Sequence, residues 1–314
     1  MQLGNLMESE ILSQPDLLAS RSSGYLDQLS SMVGGQKYEM VLIAARGSSD
    51  NAALYARYLI EIHLRIPVVL AAPSTLTRYK SDIKYPKCLA IGISQSGAAP
   101  DVAEVLARMK AQGHSTLAIT NTAGSRMHEE AEHCLLLEAG TEQAVAATKT
   151  YSSSLLAMYQ LVRALGADLP APNLPSSSWA NLTREAAQEA LGPVLRSTIL
   201  FSLARGYNFS TAQETALKLM ECALLPCKSY STADFQHGPK ALAGHGTCAL
   251  VFGPRPEDIE AQGCLVVSAP EYSDAADSPI AEIFFGQWIA LLAARARGLN
   301  PDDPRFLSKV TMTL

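Results

Sequence analysis

Residues Cys88–Gln112, CLAIGISQSGAAPDVAEVLARMKAQ, decide how the rest of the chain is read. The apolar run Cys88–Ile93 is too short for a helix and suits a strand buried on both faces. Ser94-Gln95-Ser96-Gly97 then supplies polar side chains and a turn, and Pro100 suits the first turn of a helix that runs to Gln112. Strand, polar turn and helix in this order make half of a βαβ unit. Backbone N–H groups at such a helix start form an anion site without a basic residue, and phosphate is the natural anion. A second reading of Ser96 stays open, in which it merely caps the helix.

The same alternation extends in both directions. Strand Met40–Ala45, helix Asn51–His63 and strand Pro67–Ala71 precede this unit; strands Thr116–Thr120 and Cys134–Leu137 and helix Thr148–Leu165 follow it. Gly166–Ser178 (GADLPAPNLPSSS) is rich in Pro and Ser and lacks helical periodicity, as a linker would. Beyond it lie helix Trp179–Ala190, strand Thr198–Ala204, helix Ser210–Leu225, a strand near Lys228–Tyr230, strands Thr247–Phe252 and Cys264–Val267, and helix Ile280–Arg297. This pattern predicts an α/β protein with two parallel sheets, each flanked by helices and doubly wound. The expected organisation is a helical leader over 1–23, a first domain over 24–166, a linker over 167–178, a second domain over 179–300 and a tail over 301–314. Ala45-Arg46-Gly47 and Ala204-Arg205-Gly206 follow the first strand of each half, and the next helices end near Glu61 and Glu221. That echo suggests an internal duplication.

Composition narrows the functional classes. At 314 residues the chain has the length of two ordinary domains, and 48% hydrophobic residues supply their cores. A net charge of -5 with no Lys/Arg-rich run argues against nucleic acid as a partner. The acidic N-terminal stretch (Glu8, Glu10, Asp16) is no targeting signal, and no apolar run approaches the ~18 residues of a membrane span, so a cytoplasmic protein is expected. Six cysteines lie mostly in apolar stretches with no C-x-x-C pair, as buried hydrophobes rather than a zinc or disulfide framework. His128 and His133 are five residues apart, which turns them ~140° from one another on a helix and leaves no metal pair. Neither a G-x-G-x-x-G nor a G-x-x-x-x-G-K-[ST] motif occurs.

Four constellations could carry chemistry. Gly47-Ser48-Ser49 and Gly140-Thr141-Glu142 with Thr148 join Ser94–Gly97 at the carboxyl ends of parallel strands, where open α/β sheets bind ligands. On helix Ser210–Leu225, Glu214, Lys218 and Glu221 fall at i, i+4 and i+7 and form one stripe. A solvated face with an ordinary Glu–Lys pair explains that spacing; so does a carboxylate base steered by a lysine, which removal of a C–H proton beside a carbonyl requires. Asp234–Pro239 holds His237 on a turn, and Lys309 sits near the end of the tail segment Pro304–Lys309; surface positions are the default for both.

Taken together, Glu10-Ile11-Leu12-Ser13-Gln14-Pro15, Arg46-Gly47-Ser48-Ser49, Ser94-Gln95-Ser96-Gly97, Ala139-Gly140-Thr141-Glu142, Glu214–Leu219, Gln236-His237-Gly238-Pro239 and the final Lys309 resemble the double sugar isomerase (SIS) family. That family includes the isomerase half of glucosamine-6-phosphate synthase and stand-alone deaminases and deglycases. The likeness covers nearly the whole chain. It implies two SIS domains and a sugar phosphate substrate held by Ser48, Ser94, Gln95 and Ser96, with the backbone of Val145–Thr148 lining the sugar pocket. Glu221 would shuttle a proton between C1 and C2, Glu214 and Lys218 would support it, His237 would assist ring opening, and Lys309 would close the site from the tail, with a Schiff-base role open to its amine. No cofactor or metal is implied. In the family the histidine loop enters the neighbouring subunit's site, which implies a homodimer.

Two departures bear on specificity. Ala99 stands where the family commonly has a threonine, which removes one phosphate hydroxyl, and Val310-Thr311-Met312 after Lys309 is closer to the stand-alone relatives than to the synthases. Only a short leader precedes the SIS unit, so no glutaminase half and no synthesis from glutamine are expected. The leading expectation is deamination of glucosamine 6-phosphate to fructose 6-phosphate and ammonia, or a related aldose–ketose isomerisation. Deglycation of a fructosamine 6-phosphate and a non-catalytic sugar-phosphate sensor are the alternatives.

Overall fold

A computed structural model describes residues 2–273, 275–305 and 307–309. In chain order the elements are α1 (Asn5–Val33), β1 (Met40–Ala44), α2 (Ser48–His63), β2 (Val68–Leu70), α3 (Pro73–Thr77), β3 (Cys88–Ile93), α4 (Pro100–Ala111), β4 (Ser115–Thr120), α5 (Arg126–Glu130), β5 (His133–Leu136) and α6 (Lys149–Ala164). They continue with α7 (Ser177–Arg196), β6 (Ile199–Ala204), α8 (Phe209–Ala223), β7 (Cys227–Ser231), α9 (Thr232–Phe235), β8 (Thr247–Phe252), β9 (Leu265–Ser268) and α10 (Ser278–Ala296). The chain folds into two compact units. Residues 17–141 and 150–172 make the first; residues 2–16, 142–149 and 173–309 make the second. The units therefore do not follow one another along the chain.

The first unit is built on a parallel sheet of order β2-β1-β3-β4-β5. β1 and β3 are buried along their whole length, as strands covered by helices on both faces must be. Val102, Leu106 and Met109 of α4 pack with Leu42, Ala90 and Ala118 of the sheet and with Met127, so the helix after the Ser94–Gly97 turn is seated firmly on its own strand.

The second unit has a parallel sheet of order β7-β6-β8-β9. Its strand order repeats that of β2-β1-β3-β4, and the two Ala-Arg-Gly segments fall at the ends of the corresponding strands β1 and β6. Phe201, Leu203, Ala249 and Val251 pack with Phe235 of α9, whose ring meets Phe201 edge to face at 5.2 Å. α10 is buried almost all round. α8 lies so close to it that a Cβ on Gly286 would sit 2.1 Å from Thr215 Oγ1, which excludes any larger residue there. Among the described residues no helix is long and apolar enough to cross a membrane.

Two helices outrun the expectations from sequence. The leader helix continues to Val33 straight through Pro15. Pro15 has no N–H to offer the Ile11 carbonyl, and the fully buried Gln14 fills the gap: its Nε2 donates to Ile11 O at 3.2 Å and to Gln287 Oε1 at 2.7 Å. α7 likewise passes Pro193 to end at Arg196, because Val194 is buried in the core and draws the last turn with it. The start of α1 is capped from the tail: the N–H groups of Leu6 and Met7 donate to the Asp302 carboxylate at 3.0 and 2.9 Å, and that of Gly4 to Asn300 Oδ1 at 3.0 Å.

The cysteines are free thiols, all buried except the half-buried Cys134. Burial pushes Cys88 and Cys134 up to about 11 and Cys222 and Cys248 up to about 12. A further titratable group lies inside the second unit. Burial pushes the Glu282 carboxyl on α10 up from 4.5 to about 8, against the pull of the Tyr272 N–H that it accepts at 3.2 Å. The folded state then keeps a proton that the unfolded chain releases, so this group costs stability as pH rises from about 4.5 to about 8. Glu282→Gln preserves the neutral shape. Thermal melts at about pH 5 and about pH 8.5 should show the parent protein losing several degrees more than the variant; equal losses would remove Glu282 as the cause.

Candidate functional site

In the first unit the Ser94–Gly97 loop is fixed by its own backbone. Gln95 O accepts from Asn121 N at 3.0 Å and from Thr120 Oγ1 at 3.2 Å, and Gly97 O accepts from Met127 N at 3.1 Å. Gly97 has φ +62°, and a Cβ there would lie 2.1 Å from Ser125 Oγ, so only glycine fits this turn. The capping reading of Ser96 does not survive. The N-cap of α4 is Ala99 with no side-chain cap, and Ser96 Oγ accepts from Ala98 N at 3.3 Å. Ser94, Gln95 and Ser96 stand half-buried at the end of β3, before a helix N-terminus whose partial positive charge favours an anion. Ser48, also half-buried, opens α2. An unforeseen ion pair joins the two loops: Arg46, just before Gly47, reaches the buried Asp101 in the first turn of α4 at 2.6 Å.

The second unit holds the α8 residues. Glu214 is completely buried, Lys218 is 1% exposed, and Glu221 is 25% exposed. The solvated-face reading is thereby excluded. Lys218 Nζ lies 3.4 Å from Glu214 Oε1 and bonds Glu221 Oε2 directly. Burial alone would favour the neutral amine, but the Glu214 and Glu221 carboxylates outweigh it and raise the lysine above its ordinary value. The result is a fixed internal ammonium with Glu221 as its solvent-facing partner.

A second cluster surrounds the segment after Thr141. Thr148 is buried; its N–H donates to Glu142 Oε1 at 3.0 Å, and its hydroxyl lies 3.2 Å from the same oxygen and 3.0 Å from Glu10 Oε2. Its carbonyl accepts from Gln287 Nε2 at 3.3 Å. Thr148 is thus engaged within the protein by side chain and backbone, while Val145 stays half-buried beside it. Lys309 is no free surface lysine: its Nζ donates to Glu142 Oε2 and Ala144 O, both at 2.7 Å. The residues after it, Val310–Leu314, lie outside the described residues. His237 stands apart, exposed on the turn after α9, with its N–H bonded to Asp234 O at 2.9 Å.

The structure thus gathers Glu214, Lys218 and Glu221 in one group and Glu142, Thr148 and Lys309 in another. It adds Glu10, Arg46 and Asp101, to which sequence reasoning gave no role. Glu10 opens the segment Glu10–Pro15, and Arg46 directly precedes the Gly-Ser-Ser turn; position was the only signal for either.

A family model described as the SIS domain matches residues 36–164 and 196–266. The isomerizing glutamine–fructose-6-phosphate aminotransferase of Methanothermobacter thermautotrophicus is 30% identical over 337 residues, covering 97% of this chain and 57% of the relative. The enzyme of that name from Mycolicibacterium smegmatis is 30% identical, covering 96% of this chain and 56% of the relative. The chain therefore spans a little over half the length of these curated relatives. Among solved structures, glucosamine-6-phosphate deaminase from Thermotoga maritima shares the fold with a TM-score of 0.83 at 23% identity, covering 98% of this chain and 100% of that one. The C-terminal domain of glucosamine-fructose-6-phosphate aminotransferase from Francisella tularensis does so with a TM-score of 0.80 at 22% identity, covering 96% and 98%. With two parallel sheets of one strand order, polar loops at their strand ends, and a family match over more than half its length, the chain belongs to the SIS domain family.

Proposed function

We propose that this protein is a sugar phosphate enzyme that moves a proton between C1 and C2, and that its reaction is the deamination of glucosamine 6-phosphate. The observation that carries the reading is the state of Glu221: a partly exposed carboxylate held by a buried ammonium on the same helix. The names of the relatives support the substrate class, since all of those described handle phosphorylated hexoses or their amines.

In this reading the Ser94–Gly97 loop and Ser48 take the phosphate, and the sugar ring opens to its aldehyde. Glu221 removes the C2 proton that the carbonyl acidifies and returns it to C1, while the amine gives up one N–H proton and the aldehyde oxygen gains one to become the C1 hydroxyl. The product is a C2 imine, which water hydrolyses to fructose 6-phosphate and ammonia. Such general acid–base transfer contributes roughly 10²–10⁴-fold. Lys218 orients the carboxylate and Glu214 balances the lysine's charge. The exposed ring of His237 is free to serve ring opening in a second copy of the chain, so a homodimer belongs to the proposal.

Release of ammonia and fructose 6-phosphate in equal amounts from glucosamine 6-phosphate is the expected result, measured beside a mixture of fructose 6-phosphate and glutamine. Thermal stabilisation by a sugar phosphate without turnover in either mixture would overturn the deaminase and leave a fructosamine phosphate substrate or a sensor. Glu221→Gln should abolish turnover while a sugar phosphate still raises the melting temperature; retained turnover would end the base assignment. Lys218→Met should behave differently. Loss of the ammonium strands the Glu214 carboxylate in the interior, at roughly 3–5 kcal/mol in urea unfolding; a variant as stable as the parent would show that Glu214 is not charged there.

A further inference from the structure

Glu10 lies on α1, far in sequence from every residue to which the reaction assigns a part, and is almost fully buried. Its carboxylate is spent on one short segment. Oε1 accepts from Gln143 N at 2.5 Å and Ala144 N at 3.2 Å, and Oε2 accepts from the Thr148 hydroxyl at 3.0 Å. The same segment presents Glu142 Oε2 and Ala144 O to the Lys309 ammonium. The backbone unit whose N–H group Glu10 holds thus belongs to the residue whose carbonyl holds the lysine.

We propose that Glu10 is a positioning residue for Lys309: it clamps residues 143–148 so that Glu142 and the Ala144 carbonyl stay aimed at the lysine amine. The inference deepens the proposed reaction, in which Lys309 closes the site, but its structural half stands without it. Thr148 is the hinge of the clamp, because its one hydroxyl proton lies between carboxylate oxygens of Glu10 and Glu142. Burial, and then the Glu142 charge, raise the Glu10 carboxyl above its ordinary value, and the three hydrogen bonds that it accepts from residues 143, 144 and 148 are what hold the segment. A glutamine preserves that geometry: its Oε1 accepts from the two N–H groups, its Nε2 donates to Thr148 Oγ1, and the hydroxyl proton turns to Glu142.

The test compares Glu10→Ala, Glu10→Gln and Thr148→Val with the parent. Acetylation of Lys309 by a limiting water-soluble succinimidyl acetate, read by peptide mass spectrometry, reports the clamp without any substrate. Glu10→Ala and Thr148→Val should label Lys309 faster by roughly tenfold, and on glucosamine 6-phosphate lose roughly 10- to 100-fold in kcat with KM little changed, as a misplaced group does. Glu10→Gln should stay close to the parent in both readouts. Parent-like labelling in Thr148→Val, which keeps the backbone intact even if Glu10→Ala fails to fold, overturns the proposal, as does a Glu10→Gln variant that labels as fast as the alanine. If the parent turns over no sugar phosphate, the proposed reaction falls and the labelling decides the clamp alone.

Discussion

A lysine ammonium without solvent is the constraint around which the second unit is arranged. Removing such a charge from water costs several kcal/mol even after relaxation, and only close opposite charge offsets it. One helix supplies the compensation, because residues at i−4 and i+3 from Lys218 lie on its own face. α8 must then be buried deeply enough to keep the group dry and shallow enough to leave Glu221 partly in solvent. The near-contact of Gly286 with Thr215 sets that depth on the α10 side.

The two units share a strand order and use it differently. In the first, the loop after β3 is a turn of backbone and hydroxyls before a helix N-terminus, flanked by an Arg46–Asp101 pair. In the second, the charged group lies on the helix that follows β6, where Lys218 meets Glu214 and Glu221. A shared strand order therefore does not carry a shared arrangement of charge.

How far the sequence could be read followed the range of the interaction. Most strands of both sheets were legible as short apolar runs, and β3 and the start of α4 were legible to the residue because strand, turn and Pro100 are local signals. The course of α1 through Pro15 was not, since its rescue depends on Gln14 meeting Gln287. Nor could spacing tell a buried Glu214–Lys218 pair from a solvated one: the helix places the residues identically, and only packing decides what lies outside them. The roles of Glu10 and Glu142 were hidden for a related reason, as they meet Thr148 across 138 and 6 residues of chain. Membership of the compact units, with residues 142–149 belonging to the second, is a property of packing that no composition shift marks.

The thiols make the protein a reporter of its own opening. Cys88 and Cys134 belong to the first unit and Cys222, Cys227, Cys248 and Cys264 to the second, and burial holds each of them in the unreactive protonated form. An alkylating reagent reaches the buried ones only when the surrounding structure opens, so the rate at each cysteine is set by a local opening equilibrium. One chain thus carries separate chemical clocks for its two halves, and whether they run together tells if the halves unfold as one cooperative body or in sequence.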